Sequence, residues 1–280
     1  MTPLARVVPE HIPMTLDLDE DDRMSFASQA EAARRKGNGF QANWLDQEGY
    51  ACDGLIAAAA GRFQLAFLAC DRDRANLASR HSGLGFKIAP NAVEIPRQTT
   101  RIEDGCTILF VGTLGYEPNA EGILWFARTI MPRLRTSFGR CRLAIAGANP
   151  PPAVQALGHH PDTRVLGFVD DLDNLYRRAS LAVAPMQAGG GTRIKVLEAA
   201  AHGVATVASQ QAADGLFTTQ QPWGWICDRP ADFLAASVSA LANPRERRQR
   251  GQLARRSVTK HYSRSVVVPR LAAMLRECCG

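Results

Sequence analysis

The segment between residues 185 and 204 constrains the fold of this chain more than any other. It contains three consecutive glycines, Gly189–Gly191, which are costly in the interior of a strand or a helix. Thr192 follows them as a natural helix N-cap, and the apolar residues after it recur at helical spacing until Gly203. The segment therefore predicts a strand, a glycine loop, a helix and a second strand.

Two cations occupy the first turn of this predicted helix, where the helix dipole already presents positive charge. Arg193 and Lys195 are each unfavourable there by about 0.3–1 kcal/mol. Free backbone N–H groups, a helix N-terminus and two cations together form an anion site, and a phosphate or pyrophosphate is the simplest anion of that size. Glu198, one turn beyond Lys195, is placed to accept hydrogen bonds from sugar hydroxyls. The alternative is a flexible turn with solvated charges, in which Glu198 pairs with Lys195.

A chain of 280 residues is long enough for one large or two modest domains. Its seven cysteines are odd in number and follow neither disulfide nor zinc-ligand spacing, so we expect a reducing, cytoplasmic environment. The first residues lack the layout of a signal peptide. Asp-x-Asp patterns at 17–19, 71–73 and 171–173 resemble a metal-binding element. Acidic helix N-termini explain each of them better, so no metal site is predicted.

Basic residues are concentrated between Arg245 and Lys260 and account for much of the net charge of +6. Such a stretch is usually a solvated helix face. The alternative is contact with anionic lipid headgroups, which would make the protein peripheral to the inner face of the membrane. Nucleic acid is not predicted as a partner, because no aromatic residues alternate with the basic ones.

After Gly105 strands and helices alternate regularly, whereas the residues before it give a looser pattern of helices and short strands. The regular strands are predicted over residues 107–111, 142–146, 165–169, 181–184 and 204–208. This alternation predicts an α/β fold with a doubly wound, parallel, Rossmann-like sheet. Ligands of such sheets bind beyond the C-terminal ends of the strands, where the loops at Gly112 and Gly189 begin. The fold and the predicted phosphate site therefore point to one crevice.

Three motifs follow one another in this region with characteristic order and spacing. They are Ile108–Leu114 with Pro118 and Asn119, Gly167–Asp171 with Leu175 and Tyr176, and Gly189–Ala199 with Gly203. Together they resemble the C-terminal, nucleotide-sugar-binding domain of family-4 glycosyltransferases, which have the GT-B fold. The family's Glu-x7-Glu motif has its second glutamate at Glu198 and its first at Gly190, so the first is absent. The chain resembles the branch with Gly-Gly-Gly-Thr-Arg-x-Lys instead.

The resemblance implies roles for the matching residues. The glycine-loop amides, with Thr192 and Arg193 or Lys195, would hold the donor diphosphate. Glu198 would bind the ribose, and the loop at Phe168 would face the base. The implied donor-binding residues are Gly112, Thr113, Phe168, Val169, Gly189, Gly190, Gly191, Thr192, Arg193, Lys195 and Glu198. No catalytic nucleophile is predicted.

The resemblance further implies a retaining, hexosyltransferase-type enzyme that uses a nucleoside-diphosphate sugar without a cofactor or metal. Its acceptor would be a glycan or glycolipid, in polysaccharide or glycolipid assembly. Residues 1–100 would be a partial N-terminal, acceptor-side domain with its linker, 101–260 the nucleotide-sugar-binding domain and 261–280 a crossing helix. The alternatives are a non-catalytic nucleotide-binding remnant, a half-enzyme that depends on a partner chain and, less favoured, a nucleotide-sugar epimerase.

Overall fold

The chain forms two compact units. The computed structural model describes residues 7–97, 100–190, 194–214, 216 and 223–279. The first unit is drawn from residues 1–92, 188–192 and 264–280, and the second from 93–187 and 193–263. The three-part domain division made from the sequence stays a prediction, because these units follow contacts in space and not consecutive sequence.

The first unit is built on a three-stranded parallel sheet. Its strands, in spatial order, are β1 (Thr15–Asp19), β2 (Leu65–Leu68) and β3 (Gly85–Ile88). The helices between them are α1 (Asp22–Arg35), α2 (Gly39–Ala59) and α3 (Asp71–Arg80). Alternate residues of β1, Leu16 and Leu18, are buried with Leu68 and Leu77 in one apolar cluster. The last helix of the chain, Arg264–Cys279, also belongs to this unit.

Capping residues define the helices of the first unit. Asp21 is the N-cap of α1, and its carboxylate accepts a hydrogen bond from the Met24 N–H. Asn38 is the N-cap of α2, and its side-chain oxygen accepts a hydrogen bond from the Gln41 N–H. Gly49 lies inside α2, where a glycine weakens the helical prediction. A Cβ on Gly49 would lie 3.3 Å from the Phe26 Cβ and 3.4 Å from the Arg23 Cα, so this glycine lets α1 and α2 pack closely.

The second unit contains a six-stranded parallel sheet in the order β6-β5-β4-β7-β8-β9. The strands are β4 (Thr107–Val111), β5 (Arg142–Ala146), β6 (Thr163–Gly167), β7 (Leu181–Ala184), β8 (Thr206–Ala208) and β9 (Gly224–Ile226). The chain adds strands to one side of β4 until β6, then returns to the other side at β7. The reversal between β4 and β7 is the topological switch point of a doubly wound sheet, where ligands of such folds bind.

Helices cover both faces of this sheet. They are α4 (Glu117–Trp125), a π-helical turn (Phe126–Ile130), α5 (Met131–Phe138), α6 (Pro152–Gln155) with a 3-10 turn (Ala156–His159), α7 (Leu172–Arg178), α8 (Ile194–Ala201), α9 (Gln210–Ala213), α10 (Pro230–Ala242) and α11 (Pro244–His261). The last helix of the chain, α12, belongs to the first unit. Along β4, Ile108 and Phe110 enter one apolar cluster and Leu109 enters another. The predicted α/β fold with a doubly wound parallel sheet is confirmed. No helix within the described ranges combines the length and apolar composition needed to cross a bilayer.

Several predicted boundaries are wrong in informative ways. The strand predicted over 165–169 is β6, Thr163–Gly167, and ends at Gly167 because that residue has a φ of 67°. The sequence also predicts Asp170 and Asp71 as helix caps. Helix α7 is instead capped by Asp171, which accepts from the Asp173 N–H. The cap residue of α3 is Cys70, and Asp71 lies in its first turn.

Candidate active site

The loop after β4 and the first turn of α8 meet at the switch point of the second unit. A Cβ on Gly112 would lie 3.3 Å from the Lys195 Cε and 3.1 Å from the Asn119 Nδ2, so Gly112 lets the lysine chain pass against the backbone. Asn119 is buried, and its side-chain amide donates to the Thr113 carbonyl at 2.9 Å. Gly112, Thr113 and Lys195 are therefore close in space, as the predicted site requires.

Lys195 and Glu198 both lie on α8 and are half-buried, and each is shifted toward its neutral form. Burial lowers the pKa of the Lys195 ammonium to about 8, although Glu198 acts to raise it. Burial raises the pKa of the Glu198 carboxyl above its ordinary value, although His202, Tyr176 and Lys195 act to lower it. A cation and a carboxylate held partly out of water interact strongly with any polar ligand that replaces the missing hydration.

Glu198 is surrounded by side chains that the sequence did not identify as part of a site. The ring of His202 stacks on Tyr176 with a centroid distance of 4.3 Å and an interplanar angle of 21°. His202 follows α8, and Gly203 ends this helix with a φ of 69°. Tyr176 comes from α7. A single sequence gives no signal for this grouping, because it depends on how two helices pack.

Phe168 and Val169 lie just beyond the C-terminal end of β6, at the sheet edge where the loop after β4 also begins. Phe168 is 73% exposed, which is unusual for a large apolar side chain. Gly167 accepts a hydrogen bond from the Gly147 N–H at 2.7 Å and so ties this loop to the end of β5. Both predicted residues are therefore on the expected edge of the sheet.

The glycine loop is described only as far as Gly190, and this part belongs to the first unit. The Gly189 N–H donates to the Ser28 hydroxyl at 2.8 Å, and the Gly190 N–H donates to the Ser25 hydroxyl at 2.7 Å. Ser25 and Ser28 lie on α1 and had no role in the sequence prediction. The predicted site residues Gly191, Thr192 and Arg193 lie outside the described residues.

Glu20 reaches the backbone of Gly190 inside the first unit. Its Oε2 atom is buried and has no hydrogen-bond partner within the described part of the chain. Burial, with Asp22, Asp19 and Asp73 in decreasing order, raises the pKa of the Glu20 carboxyl to about 7, against a hydrogen bond with Ser25. Glu20 was not predicted as a functional residue.

We expect Gly190→Ala to destabilise the first unit by about 1–3 kcal/mol, the usual cost of an overpacked site. The new Cβ would overlap the Glu20 Oε2 atom and lie 2.7 Å from the Ser25 Cβ. Urea unfolding measures the loss. Gly54→Ala is the matched control, since that glycine lies in α2 with no atom within 4 Å of an added Cβ. Equal stability of the two variants would contradict the close approach of Glu20 and Gly190.

The basic stretch at the C-terminus is not one solvated face. Arg247 is 2% exposed, pairs with Glu103 at 3.2 Å and donates to the Ala240 carbonyl at 2.6 Å. Arg250 lies over the Trp225 ring at 4.3 Å, and Arg255 donates to the Pro96 carbonyl at 2.8 Å. These three cations hold α11 against the rest of the second unit, so fewer cations are exposed than the sequence indicated.

Two of the three Asp-x-Asp patterns lie at helix N-termini, as expected for acidic residues that complement a helix dipole. Asp71 and Asp73 lie in the first turn of α3, and Asp171 caps α7. The prediction is wrong for the pattern at 17–19, which lies in strand β1. Within the described residues, no three His, Cys, Asp or Glu side chains are grouped as metal ligands.

Comparison with solved structures shows the same fold in several proteins of low sequence identity. TarM from S. aureus superposes with a TM-score of 0.67 at 12% identity over 79% of this chain. WaaG, a glycosyltransferase involved in lipopolysaccharide biosynthesis, superposes with a TM-score of 0.64 at 13% sequence identity over 92% of this chain. Anabaena HepE, in complex with UDP and glucose, superposes with a TM-score of 0.66 at 12% sequence identity over 94% of this chain.

These proteins are longer than the present chain, which spans 45% of TarM, 74% of WaaG and 71% of HepE. No curated protein matches the chain significantly in sequence. Residues 105–243, however, match the family model described as glycosyl transferases group 1. This segment contains all six strands of the second unit and each described site residue of that unit. Residues 105–243 of this chain therefore belong to the glycosyl transferases group 1 family and have the fold of the GT-B glycosyltransferases.

Proposed function

We propose that this chain binds a nucleoside-diphosphate sugar in its second unit and transfers the sugar to an acceptor. The observation that carries the proposal is the extension of Lys195 from the first turn of α8 to the backbone of Gly112 at the switch point. A half-buried cation at a helix N-terminus, beside the loop of an adjacent parallel strand, is suited to a diphosphate. Glu198, one turn further along α8, supplies a carboxylate for the ribose hydroxyls.

The remaining donor-binding roles follow the same arrangement. Gly112 and Thr113 approach the donor from the end of β4, and the exposed ring of Phe168, with Val169, faces the base from the end of β6. From the resemblance to the family, and not from the structure, we further propose that the backbone amides of Gly189, Gly190 and Gly191, with Thr192 and Arg193, bind the donor phosphates. Gly189 and Gly190 donate to serine hydroxyls in the present structure, so a diphosphate that uses these amides must displace those bonds.

Catalysis in this proposal is electrostatic. Lys195 and the N-terminus of α8 stabilise the negative charge that develops on the departing diphosphate, and no metal ion or protein nucleophile is invoked. The transfer is of retaining, hexosyltransferase type, with a glycan or glycolipid acceptor in polysaccharide or glycolipid assembly. The site of action is cytoplasmic, with the exposed cations of α11 available for peripheral contact with anionic lipid at the inner face of the membrane.

Calorimetric titration with UDP, GDP and ADP tests donor binding. We expect one of the three nucleoside diphosphates to bind. Glu198→Gln should lower the affinity for it about tenfold, because the neutral amide loses charge-assisted hydrogen bonds to the ribose. Glu31→Gln is the matched control, since Glu31 is an exposed carboxylate of α1. Arg193→Ala is expected to lower the affinity for the same nucleoside diphosphate. Failure of all three nucleotides to bind would reject the proposal.

A second candidate function is nucleotide binding without sugar transfer by this chain alone. The observation that favours it is the size of the first sheet, which has three strands against six in the second unit. Incubation with UDP-sugars, GDP-sugars and ADP-sugars and a panel of glycan acceptors separates the two candidates. Release of the diphosphate together with a glycosylated product supports transfer, and binding without release of diphosphate supports the second candidate.

A further inference from the structure

We propose that the turn between α1 and α2, with the first two turns of α2, docks on an anionic lipid membrane. This segment, residues 34–45, is called the α1–α2 tip. It lies wholly within the first unit. The proposal therefore does not depend on nucleotide binding by the second unit, and it uses a surface other than the exposed cations of α11.

Backbone hydrogen bonds fix the shape of the α1–α2 tip. Helix α1 ends at Arg35, and the chain reverses directly after it. The Asn38 N–H donates to the Ala33 carbonyl at 3.0 Å. The Gly37 N–H donates to the Arg34 carbonyl at 2.9 Å, and Gly37 has a φ of 75°. These features form a Schellman motif, which holds the turn in one conformation and presents its side chains at fixed positions.

Two large aromatic side chains lie on the outer surface of the α1–α2 tip. Phe40 is 87% exposed and Trp44 is 53% exposed. Their spacing of four residues puts them on one face of α2. The other face of α2 packs against α1, where Ala42 and Leu45 are buried in an apolar cluster with two alanines of α1. Exposed aromatic residues that are neighbours, and not scattered singly, indicate an interaction surface.

The charged residues of the α1–α2 tip are all positive. Residues 34–45 contain no aspartate or glutamate, and three exposed cations precede the turn: Arg34, Arg35 and Lys36. Arg34 pairs with Asp46, and Arg35 lies 3.6 Å from Glu31. Both carboxylates lie further from the turn along their helices than the cations do. Exposed ion pairs of this kind contribute little to stability, so the cations remain available to other anions.

Exposed aromatic rings beside cations match the surface of an anionic bilayer. Tryptophan and phenylalanine are stable at the level of the lipid headgroups, and lysine and arginine are attracted to anionic headgroups. A second copy of the chain fits less well, because a symmetric contact between two tips would place like charges together. A single nucleic-acid strand needs a groove that follows its backbone. The tip is instead the end of a helical hairpin, exposed at every residue from 34 to 40.

Co-sedimentation of the full chain with lipid vesicles tests the proposal. We expect binding to vesicles of phosphatidylcholine and phosphatidylglycerol in equal parts, about tenfold tighter than binding to phosphatidylcholine alone, and weaker at high salt. Trp44→Ala should lower the affinity about tenfold, as for one large apolar side chain that is no longer buried. Leu55→Ala is the matched control, because Leu55 is a 46% exposed apolar residue about 16 Å further along α2.

A second variant tests the cations. Arg35→Gln combined with Lys36→Gln should lower the affinity for anionic vesicles about 25-fold, since each cation near such a surface contributes about fivefold. Its affinity for phosphatidylcholine vesicles should not change. Arg128→Gln combined with Arg133→Gln is the matched control and removes two exposed cations of the second unit. All of these positions are exposed, so each variant should unfold at the wild-type urea concentration.

Several results would overturn the proposal. Wild-type protein that binds neither kind of vesicle would do so, as would full affinity in both tip variants. A loss of affinity in Arg256→Gln combined with Lys260→Gln, absent from the tip variants, would assign the lipid contact to α11. A lipid-free dimer that Trp44→Ala disperses, with vesicle affinity unchanged, would assign the tip to a second copy. Titration of the tip variants with UDP should match the wild-type protein, so the proposed function is tested separately.

Discussion

Lys195→Met is expected to make the unliganded protein more stable and to weaken its binding of UDP. Burial lowers the pKa of Lys195 from 10.5 to about 8, so the folded state disfavours the cation that the unfolded chain carries freely. Methionine has a similar length and no charge to desolvate. The free energy of unfolding at pH 7 should rise by about 1–3 kcal/mol, with the full shift of the pKa as the upper bound.

The pH dependence of this gain follows from proton linkage. Below pH 8 the lysine is protonated in both states, and the penalty on folding is complete. Between about 8 and 10.5 the unfolded chain binds more protons than the folded one, so the stability of the wild-type protein rises with pH. Above 10.5 the lysine is neutral in both states. The stability difference between Lys195→Met and the wild-type protein should therefore shrink from pH 8 upward.

Binding of UDP should change in the opposite direction. Loss of a cation that contacts the diphosphate weakens binding by about 10- to 100-fold. The affinity of the wild-type protein for UDP should also decline as pH rises above about 8, and that of Lys195→Met should not. Lys260→Met removes one exposed lysine of α11 and is the matched control. A Lys195→Met protein that loses stability and retains its affinity for UDP would contradict a ligand-binding role for the lysine.

The helices and strands that the sequence predicted well are those whose ends are marked by nearby residues, such as helix caps, prolines and glycines. The sequence predicts helices over 230–242 and from 244 to about 261, and α10 and α11 have these bounds. Each begins with proline, and the Asn243 between them both ends one and caps the next. Strands β4 and β5 were also predicted to the residue, from apolar runs flanked by polar residues and glycine. Local composition decides such boundaries because the responsible contacts lie within one turn or one strand.

Features that depend on packing were not predictable. The π-helical turn at Phe126–Ile130 interrupts what reads as one helix, and its cause is not local in sequence. Strand β6 stops two residues before its apolar run does, leaving Phe168 exposed beyond Gly167. The candidate site residue Lys195 was predictable, because a cation is unusual at the start of a helix. Tyr176 and His202 were not, because a tyrosine and a histidine are ordinary residues until two helices bring them together.

Gly147→Ala is expected to destabilise the second unit strongly and to abolish UDP binding. A Cβ on Gly147 would overlap the Gly112 carbonyl oxygen and lie 2.8 Å from its carbon and 3.1 Å from the Leu114 Cγ. The atoms in the way are backbone, so a side-chain rotation cannot relieve the collision. Either β4 and β5 separate at their C-terminal ends or the loop that carries Thr113 moves.

Both responses affect the candidate site as well as the fold. The Gly112 N–H donates to the Ala146 carbonyl at 3.0 Å, and the Gly147 N–H donates to Gly167 at 2.7 Å, so one added methyl group disturbs both junctions at the switch point. The free energy of unfolding should fall by about 3 kcal/mol, at the upper end of overpacking costs. Gly158→Ala is the matched control, because its Cβ would meet only Val165 at 3.7 Å. Wild-type stability and UDP affinity in Gly147→Ala would show that the loops after β4 and β5 do not need this close approach, and the arrangement of Gly112 and Lys195 would lose its main support.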